Sequence, residues 1–197
     1  MAKLKYGKNI IVIGIIAGIF AGWFAAMLVF DMSVHNVCPK SAAAGCDDVT
    51  VVPLVDRDYF REVDKLIASS NRSIYISMFS MKYYTNYRDS HENLLLDSLI
   101  AANKRGVDVR IIIDEWGTDD DAALKHLSEG GINIKYDSPD LTTHTKIIII
   151  DGRIVVVGST NWSYYAIDEN HEANVVVHSE IIGKYFENYF EKIWEES

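Results

Sequence analysis

Hydrophobic and polar positions divide the chain into three stretches. Ile10 to Phe30 (IIVIGIIAGIFAGWFAAMLVF) is an unbroken run of apolar residues and glycine, and residues 31–50 are rich in small residues without periodicity. Beyond them the pattern turns regular. Asp56 is placed to cap a helix over 57–69 whose apolar face is Tyr59, Phe60, Val63, Leu66 and Ile67. Ser73–Ser80 reads as a strand, and Asp89 with Glu92 as a capping box for a helix that runs through Lys104 and ends at Gly106. Val107–Asp114 is nearly continuous in apolar residues, as a central strand requires. A helix over Asp119–Glu129, stopped by Gly130-Gly131, leads to a short strand at Ile132–Tyr136. Lys146–Ile150 and Ile154–Val157 are strands joined by a tight hairpin at Asp151-Gly152-Arg153, and Ala173–Val177 is another strand. The tail places Ile181, Ile182, Tyr185, Phe186, Tyr189, Phe190, Ile193 and Trp194 in pairs every four residues, an apolar helix face that must be buried. This order predicts one α/β domain over residues 51–197, a mixed β-sheet flanked by helices.

As a helix, the 21 residues of Ile10–Phe30 would reach about 30 Å, the thickness of a bilayer's hydrocarbon core. Lys3, Lys5 and Lys8 precede the run, and no basic residue follows it until Lys40. The expectation is a cytoplasmic segment 1–9, a transmembrane helix 10–30, a juxtamembrane linker 31–50 and a domain 51–197 outside the cytoplasm, a single-pass protein of the cell membrane. A cleaved signal peptide is the alternative, but the run exceeds the usual apolar core of such peptides and no A-x-A site closes it. Cys38 and Cys46, the only cysteines, follow the apolar run; an oxidising compartment would favour a disulfide between them, with two free thiols as the alternative.

Charge narrows the function. The chain has 19 basic and 28 acidic residues; four lysines and only Asp31 lie in residues 1–46, leaving 15 basic against 27 acidic side chains in residues 47–197. A domain this acidic does not adsorb broadly to nucleic acid, so any phosphate site must be local. The candidate is His144-Thr145-Lys146, four residues, Asp151, six residues, then Gly158-Ser159-Thr160-Asn161. His144 and Lys146 emerge on one face at the start of a strand, an imidazole beside an ammonium. The hairpin returns the chain antiparallel, bringing Ser159 and Asn161 back beside them as neutral donors, with Gly158 allowing close approach. A nucleophile or base surrounded by anion-binding groups suits phosphoryl transfer.

The spacing H-x-K-x4-D-x6-G-S-x-N resembles the signature of the phospholipase D superfamily at every defined position. Glu172, in Asn170-His171-Glu172-Ala173-Asn174, is similar to that family's downstream glutamate, and Arg105–Asp114 to its second helix–strand junction. The resemblance covers roughly residues 55–195. It implies a phospholipase D-like fold and a metal-independent phosphodiesterase without cofactor, in which His144 attacks phosphorus to form a phosphohistidine. Lys146, Ser159 and Asn161 would hold the non-bridging oxygens, and Glu172 would orient and stabilise His144. Asp151 belongs to the catalytic motif, but its opposite strand parity gives it a supporting role. The family mechanism uses two histidines, whereas His144 is the only histidine here followed by Lys two residues on. Single-motif members, of the Nuc-type endonuclease and mitochondrial cardiolipin hydrolase (Zucchini) kind, implicate a homodimer with a composite site.

Other features read more plainly. His35, His91, His126 and His178 are expected to be ordinary solvated or core histidines; His171 adjoins Glu172 and either is another of these or lines the site mouth. Asp119-Asp120-Asp121 open a helix, where carboxylates suit the macrodipole, and no His/Asp/Glu cluster has metal-ligand spacing. Tyr83, Tyr84 and Tyr87, with Lys82 and Arg88, either stack bases, meet lipid headgroups or pack a loop over the sheet. Two substrates therefore stand open, nucleic acid and phospholipid headgroup esters, beside a non-catalytic membrane scaffold that would have no need of His144, Lys146, Ser159, Asn161 and Glu172 together.

Overall fold

A computed structural model describes residues 49–115 and 121–197. Seven strands, β1 (Thr50–Val55), β2 (Ser73–Met78), β3 (Asp108–Ile113), β4 (Asn133–Tyr136), β5 (Lys146–Ile150), β6 (Ile154–Gly158) and β7 (Ala173–His178), form one sheet in the order β1-β7-β6-β5-β2-β3-β4. The β2–β3 and β3–β4 pairs are parallel and all others antiparallel, so the expected mixed sheet is present. Four helices accompany it: α1 (Asp58–Ser69), α2 (His91–Lys104), α3 (Asp121–Glu129) and α4 (Glu180–Glu196). A single π-helical turn, Tyr165–Glu169, sits between β6 and β7.

Helices cover both faces, which is why the middle strands are apolar without alternation. On one face Ile74, Ile76, Ile111, Ile148 and Val176 pack with Val63 and Ile67 of α1, Leu95 and Leu99 of α2 and Leu127 of α3. On the other, Ile112, Ile147, Ile149, Val155 and Val177 pack with Phe190 of α4. The four isoleucines of β5 are split between these cores by parity, two to each face. Between β5 and β6 the turn residues Asp151 and Gly152 both have left-handed φ, 53° and 64°, the twist a tight hairpin needs.

Three local readings change. Residues 50–55 are a strand, although the linker was expected to end at residue 50 and no strand was read there. TVVPLV hides its nature because only Leu54 is buried, and Pro53 is tolerated on an edge strand, where its missing N–H costs no ladder bond. Asp56 does not cap α1. It takes a left-handed φ of 48° and turns towards β7, while Arg57 occupies the cap position without a side-chain bond. Helix α2 is capped by Ser90, whose hydroxyl accepts from Asn93 N, not by Asp89. Glu92 is then turned inward, fully buried, with neither carboxylate oxygen hydrogen-bonded, and burial raises its pKa.

Among the described residues no helix is long and apolar enough to cross a membrane. The expected transmembrane segment 10–30, its flanks 1–9 and 31–48, His35, the Cys38–Cys46 pair and residues Asp119 and Asp120 lie outside the described residues.

Candidate active site

Strand register builds the site. In the β5–β6 pair Ile147 faces Val157, so one rung further Lys146 and His144 meet the chain leaving β6 at Gly158. In the β6–β7 pair Gly158 faces Asn174, which brings Glu172 and Ala173 to the same end of the sheet. The β2–β5 pair, with Met78 opposite Lys146, adds Phe79 from the other side. His144, Lys146, Ser159, Asn161 and Glu172, expected together from the sequence, thus converge from strands adjacent in space.

The His144 ring is exposed and leans on Phe79, with 4.7 Å between ring centroids. Lys146 is only 8% exposed; its Nζ donates to the carbonyl of His144 at 3.0 Å and lies 5.0 Å from the centre of the Phe79 ring. Burial lowers the Lys146 pKa, and the charges of Glu172 and Asp114 oppose the shift. The ammonium is therefore poorly solvated and disposed to take an anionic partner. Asn161 carries a buried carboxamide oxygen with no hydrogen-bond partner, leaving part of the group uncommitted to the protein.

Glu172 departs from expectation. Its carboxylate accepts from Ser159 Oγ and from Asn170 Nδ2 (3.2 Å), and among the described residues no hydrogen bond joins it to His144. Ser159 is in turn held between the strands, accepting from Ala173 N at 3.1 Å. The Ser159 hydroxyl and Glu172 carboxylate so form a pair, and Glu172 reaches Lys146 through its charge.

Asp151 is not brought to the site. It lies beyond the far end of β5, roughly 20 Å along the strand from His144. Its carboxylate accepts the N–H groups of Asn71 (3.2 Å), Arg72 (2.8 Å) and Ser73 (3.1 Å), stapling the β5–β6 hairpin to the start of β2. The spacing within the motif therefore reports the hairpin's length and its anchor, while the chemistry is left to the other positions.

The structure adds supports that the sequence reading missed. Asp56 accepts from Glu172 N at 2.9 Å and donates its own N–H to the Glu172 carbonyl at 3.0 Å, fixing the backbone of that residue. The hydrogen bond from His171, followed by that from Glu172 N, holds the Asp56 carboxyl below its ordinary value. His171 is spent on this contact at the surface. Buried Asn174 accepts from Thr160 N (3.3 Å) and donates to Thr160 Oγ1 (2.9 Å), fixing the loop between Ser159 and Asn161. A Cβ on Gly158 would meet Asn174 Oδ1 at 2.2 Å and the Ala173 carbonyl oxygen at 2.5 Å, so only glycine permits this approach. Two buried carboxylates, Asp114 and Asp137, both accept from Thr143 N (2.7 and 2.8 Å), the residue immediately before His144. Such partners leave little sequence signal, because all but Asp137, six residues before Thr143, are remote along the chain from the residue they hold.

Of the other described histidines, His91 pairs with Asp168 at 2.6 Å and His126 with Asp97 at 2.7 Å. Among the described residues no three His, Cys, Asp or Glu side chains are grouped to hold a metal ion.

Residues 63–194 match the family model described as cardiolipin synthase, PLD-like domain. The chain is 29% identical over 103 residues to the mitochondrial cardiolipin hydrolase of Xenopus laevis, covering 52% of this chain and 49% of the relative. It is 28% identical over 128 residues to a phospholipase D of Rickettsia prowazekii, covering 64% of this chain and 58% of that protein. The chain thus spans about half the length of the curated relatives it matches. Among solved structures, the phospholipase D family member Nuc from Salmonella typhimurium superposes with a TM-score of 0.66 at 27% identity, over 76% of this chain and 96% of Nuc. With residues 63–194 matched by that family model, and the H-x-K and G-S-x-N segments joined at one end of the same sheet, the chain belongs to the phospholipase D superfamily.

Proposed function

We propose that the protein is a phosphodiesterase working without a metal through a covalent phosphohistidine, with nucleic acid as its substrate. The observation that carries this reading is that strand register brings exposed His144, desolvated Lys146 and Asn161 to the same end of the sheet. Lys146 Nζ and the amide N–H of Asn161 donate to the non-bridging oxygens. An imidazole nitrogen of His144 attacks phosphorus, the P–N bond forms as the P–O bond to the leaving group breaks, and the departing oxygen takes a proton. Water then attacks, the P–N bond breaks, and the imidazole is regenerated. One motif supplies one imidazole, and the acid for the leaving oxygen is His144 of the partner subunit across a two-fold axis. Glu172, with Ser159, stabilises the positive charge that develops on the imidazole.

Support for nucleic acid comes from the resemblance to single-motif endonucleases of the Nuc type and from the match to 96% of the Nuc chain. A phospholipid headgroup ester is the second reading, favoured by the apolar run at 10–30, which we take as a membrane anchor, and by the names of the relatives. Hydrolysis of bis(p-nitrophenyl) phosphate in EDTA, abolished in His144→Ala, is the expected result. Quenching during turnover in alkaline denaturant, where the P–N bond survives, should trap a p-nitrophenylphosphoryl group on His144. Activity that needs a divalent metal, or that survives His144→Ala, would sink the mechanism. Full activity from a monomer in sedimentation would remove the shared site. Single-stranded DNA, RNA, phosphatidylcholine and cardiolipin assayed side by side separate the substrates.

A further inference from the structure

Just outside the site, four tyrosines do work that the fold does not require. Tyr84, Tyr87, Tyr164 and Tyr165, with Ser90, line an open cavity of about 450 Å³. Tyr87 is 71% exposed and Tyr165 69%, although the backbone beneath them is firmly held. The Asn93 carboxamide accepts from Tyr84 N (2.9 Å) and donates to the carbonyls of Tyr84 (2.9 Å) and Tyr87 (3.1 Å). Across the cavity Tyr164 N donates to the Tyr84 hydroxyl (3.3 Å), and the Tyr164 hydroxyl donates to Glu169 (2.6 Å). Aromatic rings kept in water on a fixed backbone are a surface prepared for a ligand.

Both walls of this cavity continue the segments that line the active site. Tyr164 follows Asn161 by three residues, so their Cα atoms lie within about 11 Å. The opposite wall begins a few residues after Phe79, and the two are tied together by Lys82 N donating to the Trp162 carbonyl at 2.8 Å. Among the described residues the lining is four tyrosine rings with hydroxyl edges and Ser90, and exposed Arg88 adjoins it in the same loop. An acyl chain would gain burial on the rings but would leave the hydroxyl edges and Arg88 unused. Unpaired bases gain stacking on each ring and hydrogen bonds at the edges.

We infer that Tyr84, Tyr87, Tyr164 and Tyr165 form a stacking subsite for the unpaired bases that flank the scissile phosphate. This inference rests on the nucleic-acid reading above and narrows it to single strands. It also explains how an acidic domain binds a polyanion: stacking replaces most of the phosphate contacts that a basic groove would provide.

The test compares two substrates with the same phosphodiester backbone, an oligothymidylate and a strand whose residues around the cleavage position are abasic tetrahydrofuran units. The detergent-solubilised full chain should cleave oligothymidylate with a kcat/KM about tenfold above the abasic strand. The double variant Tyr87→Ala/Tyr165→Ala should lose that preference, and Tyr87→Phe/Tyr165→Phe should keep it. A preference that persists in the alanine variant overturns the inference, as does an equal fall on both strands. It is also overturned if the alanine variant loses activity on cardiolipin vesicles instead, or if it dissociates to monomers in sedimentation, which would make the surface a contact between copies. Should the wild type cleave neither strand, the nuclease reading fails on its own. Quenching of a 2-aminopurine strand by the wild type, lost in the alanine variant, would still support the subsite, and no quenching would overturn it.

Discussion

Asn174→Ala tests how the fold holds the catalytic loop. The side chain is buried between β1, β7 and the segment after β6, and it makes three hydrogen bonds, to Thr160 N, Thr160 Oγ1 and the Leu54 carbonyl (3.3, 2.9 and 3.4 Å). Thr160 is itself fully buried, so its N–H would be left without its acceptor. An orphaned buried donor costs about 1–3 kcal/mol, and the lost bonds to Thr160 Oγ1 and Leu54 add to that, giving a total of about 2–4 kcal/mol. For a domain of this size the Tm should fall by roughly 6–12 °C at fixed protein concentration. The freed loop carries Ser159 and Asn161, so kcat on bis(p-nitrophenyl) phosphate should fall as well, by about tenfold or more. Urea titration gives the stability change and steady-state kinetics the second number. A loss under 0.5 kcal/mol, or an unchanged kcat in a destabilised variant, would refute the claim that Asn174 positions the loop.

Other perturbations address different links. Because burial lowers the Lys146 pKa from its ordinary value of 10.5, phosphate binding through the ammonium should be lost as pH rises through a value below 10.5; Lys146→Arg should remove that alkaline limb from the kcat/KM profile. Burial raises the Glu92 carboxyl above 4.5, so its stabilising effect is complete at low pH and is lost as pH rises from the unfolded value through the folded one. Glu92→Gln should accordingly raise the Tm at pH 7 and change it little at pH 4, and a lower Tm at pH 7 would contradict this reading. Asp137→Ala removes one of the two acceptors of Thr143 N and should lower kcat more than it raises KM, since it loosens the residue before His144 rather than a substrate contact.

Much of the architecture, and the candidate reacting groups, were legible from residue type and pattern alone. Continuous apolar strands such as Ile147–Ile150 specify a sheet covered on both faces, and the H-x-K and G-S-x-N segments specify the chemistry, because residue type and short-range spacing control both. Periodicity also located α1, α2 and α4, since each buries one continuous stripe. It missed β1, where five of six side chains are exposed and no burial pattern exists to be read. Only the tertiary structure decided which groups support the site. Asp56, Asn174 and Asp114 reach Glu172, Thr160 and Thr143 through strand register and loop closure, over separations that leave no local pattern. The same holds for Asp151: the sequence places it inside the motif, while an extended β5 carries it to the opposite end of the sheet, because a strand separates its two ends by about 3.3 Å per residue.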